Sequence, residues 1–139
     1  MLKKFLSLTL VLGLITAVSM GAAVQIKKGK TRPLTTKQLM SGLVKPQCGG
    51  LGEALKTAPT DDAGWAALAT QAALLNEASY ILMDDGRCPD ADWAAAATAL
   101  REGTAAVLTK IEAKDAAGAQ EAFKGATASC AACHKAHKK

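Results

Sequence analysis

The sequence predicts an all-α chain folded as an antiparallel, up-down-up-down four-helix bundle. Three observations carry this expectation. Apolar residues recur at helical spacing in four separate stretches. No stretch alternates apolar and polar residues over the length of a strand. The connections between the four stretches are short, which sets consecutive helices antiparallel.

The first helix opens at Thr35 or Thr36, either of which can cap it, and carries Leu39, Met40, Leu43 and Val44 on one side. Pro46 has no N–H to donate and is expected to interrupt or kink this helix, which resumes through Leu51 and Leu55 before Pro59. Asp61 and Asp62 open the second helix, with Trp65, Leu68, Ala69, Ala72, Leu75 and Ala78 at helical spacing. It ends near Met83, before Asp84-Asp85-Gly86. The third follows Pro89, capped by Asp90 or Asp92, and carries Trp93, Ala97, Leu100, Val107 and Ile111. The fourth starts near Asp115 and carries Ala119, Phe123, Ala126 and Cys130.

A chain of 139 residues fits one domain. Its first part reads as a leader. Met1-Leu2-Lys3-Lys4 is positive, Phe5 to Val18 is apolar but short for a bilayer span, and Ser19 to Ala23 offers small residues for a signal peptidase. Residues 1–23 are therefore expected to be removed, by a cut after Ala23 or alternatively after Gly21. Residues 24–34 then form a loose basic tail and residues 35–139 the bundle. The expected product is exported or periplasmic and not a membrane protein.

The net charge of +5 becomes +3 once Lys3 and Lys4 leave with the leader. Seven of the remaining basic residues sit in the two tails: Lys27, Lys28, Lys30 and Arg32, then Lys135, Lys138 and Lys139. Between Pro33 and His134 the balance is −4. A nucleic-acid binder needs its basic residues on a folded face, so no such partner is expected; basic ends suit docking of an acidic protein. Beyond the leader the aromatic residues are Trp65, Tyr80, Trp93 and Phe123. A core of alanines with so few aromatics leaves room for a large flat ligand.

The motif that carries chemistry is Cys130-Ala131-Ala132-Cys133-His134, the attachment pattern for c-type haem. On a helix, residues three and four apart share a face. Cys130 and Cys133 can both reach the vinyl groups at one porphyrin edge, while His134, four beyond Cys130, turns its imidazole to the iron. The competing readings are a redox dithiol, a zinc site and a plain disulfide. A thioredoxin-like dithiol needs strands around it. Zinc wants four ligands, and Cys48, Cys88 and His137 lack knuckle spacing. Haem c attachment outside the cytoplasm agrees with the leader.

A helical chain ending in this motif resembles the class II c-type cytochromes, the cytochrome c-prime group. The resemblance covers roughly residues 35–139 and rests on the motif's place at the end of the last helix, since any c-type haem protein has the motif itself. The family's ending, Cys-x-x-Cys-His-x-x-aromatic-basic, reads here with Lys138 in the basic place and His137 in the aromatic one. His137, three beyond His134, is expected to face solvent.

The resemblance implies an exported bundle with one covalent haem c, His134 as proximal iron ligand and Met40 in the place of the sixth ligand of low-spin members. Met83 and an open sixth position are the alternatives to Met40. The family often has Arg four residues before that Met; here Thr36 stands there, beside Lys37. Dimer formation through the first two helices is expected on resemblance alone.

Cys48 and Cys88 remain once the haem takes two cysteines. In an oxidising compartment they are expected to pair, closing a loop that stabilises by roughly 4 kcal/mol on the chain-entropy model. Asp84, Asp85, Asp90 and Asp92, an acidic cluster near Arg87, read as a solvated loop with helix caps rather than a cation site or partner surface, and Trp65 and Trp93 as core packing. The expected function is electron transfer between redox partner proteins, without enzyme activity. A gas-binding protein with an open sixth position, or a haem subunit of a larger redox complex, are the alternatives.

Overall fold

The structure, a computed structural model, describes residues 28–138. The expected leader and both expected cut sites lie outside them. Among the described residues there are four helices and no strand, only an isolated antiparallel bridge between Lys28 and Thr35.

We number the helices in chain order. Helix α1 is unbroken over residues 36–54: an α-helical turn at Thr36–Leu39, a wider π-type turn at Met40–Val44, and an α-helical stretch at Lys45–Ala54. Helices α2, α3 and α4 span Asp62–Met83, Ala91–Glu112 and Ala116–His137. Each begins where a short polar side chain takes an orphan backbone N–H. Thr35 and Gln38 form a reciprocal capping box, while Asp61, Asp90 and Asp115 accept from the amides of Gly64, Trp93 and Gly118. Asp85 and Gly86, both at positive φ, carry the turn after α2.

Pro46 does not interrupt α1. The wide turn ahead of it absorbs the defect: the Lys45 amide reaches back to the Met40 carbonyl, and the proline follows at the first turn of the next α-helical stretch. A proline there withdraws a donor that a regular helix would have directed four residues back, so a local change of pitch lets the chain continue.

Helix α3 packs most extensively, against α4 and α2, and α1 lies on α2. The α3–α4 contact is close because Gly103 faces Ala126, where a Cβ on the glycine would meet the alanine Cα and Cβ at 2.8 Å. Buried apolar side chains divide into two groups. One joins Val44, Leu51, Leu55, Leu68, Leu75, Val107 and Ile111; the other joins Leu39, Leu82, Trp93, Ala97 and Leu100. Met40 and Leu43 pack against both. None of the described helices is long and apolar enough to cross a membrane.

The segment ahead of α1, expected to be loose, is fastened where it is described. The Lys30 amide donates to the Asp85 carbonyl, the Thr31 amide and hydroxyl to Asp85 Oδ1, and the Arg32 amide to Asp85 Oδ2. Its basic side chains suggested a solvated tail, but Asp85 holds the segment through three backbone amides and the Thr31 hydroxyl.

Candidate functional site

Near the end of α4, Cys130 and Cys133 turn to one side of the helix and pack against the Leu39–Trp93–Leu100 group. His134 comes to the same place, and all three line a single cavity with Met40 from α1. Leu82, Trp93, Ala97 and Leu100 form its apolar walls. The Trp93 indole is fixed by donation from Nε1 to the Leu82 carbonyl at 2.8 Å. Met40, Cys130 and Cys133 are half-buried, and His134 sits exposed at the rim.

Burial pushes the Cys130 thiol up, reinforced by the charge of Cys48, and burial followed by Cys130 and Asp90 does the same for Cys133. These cysteines are thiols at neutral pH. A dithiol built for redox exchange has the opposite bias, a thiolate stabilised by its surroundings. Desolvation, with Lys138 nearby, lowers the pKa of His134 and keeps its imidazole neutral, the form that offers a lone pair to a metal.

The donor set fits a c-type haem: two thiols three residues apart on one helix, a neutral imidazole beside the second, and a thioether from another helix on the same cavity. The space is tight. The cavity encloses about 40 Å³, enough for water but not for a tetrapyrrole. Ala96 and Ser129 line both this cavity and an open groove of about 370 Å³, otherwise bordered by Asp92, Ala95, Ala99, Ala132 and Ala136. Two small side chains are the elements common to both spaces.

Of the sulfur ligands considered from sequence, Met40 reaches this cavity, whereas Met83 packs against the adjoining apolar group without lining it. The expected Cys48–Cys88 disulfide is not made. All four cysteines are free: Cys48 packs with the Leu51–Ile111 group, while Cys88 packs with the Trp93 group and donates to the Asp90 carbonyl at 3.4 Å. Helix α1 carries Cys48 toward Cys130 instead, close enough for its charge to be felt there.

His137 does not face solvent. It is 3% exposed, lies edge-on to Trp93 with ring centroids 5.3 Å apart, and sets Nε2 3.5 Å from Asp90 Oδ1. Four residues beyond Cys133, it shares that cysteine's side of the helix rather than opposing it. The ring therefore fills the place that the resemblance gives to an aromatic residue. Arg87, which sequence reasoning left in a solvated loop, is 1% exposed. Its setting after Asp-Asp-Gly gave no signal of burial.

Among the described residues, no group of three or more His, Cys, Asp and Glu side chains is placed to hold a metal ion. The chain matches no family model, no curated protein and no solved structure.

Proposed function

We propose that this chain is an exported, monohaem c-type cytochrome that carries electrons, with its four helices running up-down-up-down as in class II cytochromes. The observation that carries the reading is the meeting of Cys130, Cys133, His134 and Met40 on one cavity. Their sequence separation makes this more than a restatement of the motif, because Met40 lies on α1 and the other three near the end of α4.

In this reading Cys130 and Cys133 would hold the haem covalently through their sulfurs. His134 and Met40 would be the residues that ligate its iron, a pairing that raises the reduction potential. The haem supplies reversible one-electron chemistry at its iron when bound. Leu82, Trp93, Ala97 and Leu100 keep water from the macrocycle, and His137 holds Trp93 in place. Room for the plate comes from parting α3 and α4 at Ala96 and Ser129, where only small side chains resist. Exposed Lys135 and Lys138 flank the site and suit docking of an acidic redox partner. The protein breaks and makes no substrate bond.

The test of the ligand set is optical. The reduced protein is expected to show a six-coordinate low-spin spectrum that carbon monoxide leaves unchanged on mixing. Met40→Ala should open the sixth position and bind carbon monoxide at once. A wild-type protein that binds the gas as fast as the variant would replace the electron carrier by the gas-binding reading.

A further inference from the structure

Helices α1 and α4 meet in a register that can be read from both ends. At one end the Leu55 carbonyl accepts from Gln120 Nε2, and a Cβ on Gly52 would stand 3.0 Å from Phe123 Cε1. At the other, Val44 lines the cavity with Cys130, and Met40 lines it with His134. Each turn back along α1 therefore meets a turn further on along α4. Cys48 stands one turn after Val44 and one turn before Gly52. This register sets it against α4 between Phe123 and Cys130.

The two cysteines of the motif have different neighbours. Burial pushes the Cys130 thiol up, and the next influence on it is the charge of Cys48. Burial raises Cys133 as well, followed by Cys130 and then Asp90. Cys130 thus lies toward α1, and Cys133 toward the start of α3. Cys88 is on the Asp90 side, where its thiol donates to the Asp90 carbonyl. The third sulfur beside Cys130 is Cys48. Gly49, next to it, has open space where a Cβ would stand, so α1 can settle toward α4 there without displacing a side chain.

We propose that Cys48 and Cys130 form a disulfide in the haem-free chain, a latch between α1 and α4 that closes the attachment site until it is reduced. The oxidant is a disulfide of the surrounding compartment, small or protein-borne. One cysteine thiolate attacks a sulfur of that disulfide and displaces a thiol. The second thiolate attacks the mixed disulfide and displaces the other thiol. The protein loses two hydrogens and two electrons, and the oxidant leaves as two thiols. Burial raises both protein thiols, so thiolate is scarce at neutral pH and the latch closes slowly. While it is shut, Cys130 has no thiol to give and attachment through both cysteines is blocked. That consequence rests on the haem reading; the disulfide itself does not.

The experiment uses the whole chain, produced without the machinery for haem attachment, reduced, and equilibrated in mixtures of oxidised and reduced glutathione. Free thiols are alkylated and the tryptic peptides weighed. Trypsin parts Cys48, Cys88 and the Cys130–Cys133 pair into three peptides. Wild type and Cys133→Ser are expected to lose alkylated Cys48 and to yield its peptide joined to that of Cys130. Cys130→Ser should keep Cys48 alkylated. Cys48 that stays alkylated in both wild type and Cys133→Ser, or joins Cys88, or joins Cys133 as readily as Cys130, overturns the assignment. Each mixture is then offered haem and the attachment machinery. The loaded fraction should fall as the Cys48–Cys130 fraction rises, and recover on reduction. Loading indifferent to that fraction overturns the latch and leaves the haem reading intact. A mapped Cys48–Cys130 bond in a chain that takes no haem even when reduced supports the disulfide and overturns the haem reading.

Discussion

The two ends of the bundle are packed by different rules. At the end holding Leu51, Leu75, Val107 and Ile111, buried side chains are aliphatic and close-packed. Between α2 and α3, Asn76 Nδ2 bonds the Arg101 carbonyl and Thr104 Oγ1, which in turn donates to the Leu100 carbonyl. At the other end stand three cysteines, two methionines, a buried histidine and an arginine whose guanidinium has no hydrogen bond, around walls that include alanines. Aliphatic burial dominates the first end. The second gathers the sulfur, imidazole and guanidinium groups, which aliphatic packing does not require.

The sharpest way to break this comparison is to exchange cysteines between the two roles. Replacing Cys130 and Cys133 together by Ser should abolish the covalent pigment altogether. Replacing Cys48, which packs with the Leu51 group, should leave it in place, and equal loss of colour from both variants would contradict the division.

The aliphatic end should give the largest change in stability. Leu51→Ala removes a side chain with no exposure and is expected to cost about 2–5 kcal/mol, read by denaturant unfolding, with the absorption spectrum unchanged. Gly103→Ala should cost about 1–3 kcal/mol by forcing α3 from the α4 backbone at Ala126. If Gly103→Ala proved neutral, the closeness of this crossing would not constrain the helices that carry the site.

The smallest effect concerns the segment ahead of α1. The Arg32 amide, then the Thr31 bonds and the Arg87 charge, hold the Asp85 carboxyl below its usual range. A depressed folded pKa means that this contribution is fully present above the ordinary aspartate range and is lost as pH falls through the folded value. Hydrogen exchange at Thr31 and Arg32 should accelerate in that acid window while α3 stays protected. Exchange that ignores acid would show that Asp85 does not fasten the segment.

Much of this arrangement was legible in the residues. Asp61, Asp90 and Asp115 marked helix starts because a short carboxylate before an apolar-periodic stretch has an obvious use for orphan amides. The Cys130, Cys133 and His134 side chains were legible because helical spacing alone places them together. Met40 was reached through resemblance, and the structure brings it to the same cavity. The rest depended on long-range packing. Pro46 signalled a break, but a π-type turn that no local propensity encodes carries α1 through it. That continuity sends Cys48 to the Leu51 side and leaves Cys88 in the other group, a separation that counting leftover cysteines does not reveal. His137 was placed by its offset from His134, when its offset from Cys133 was the relevant one. Arg87 had no signature, because a charged residue after a turn ordinarily reads as solvated.

The central claim is a covalent porphyrin at the end of α4, and intact mass tests it most directly. Protein purified from the exported fraction of cells that mature c-type cytochromes should be coloured and heavier than its polypeptide by one haem, with the addition on the peptide containing Cys130 and Cys133. A colourless product at the mass of the bare chain would contradict the account.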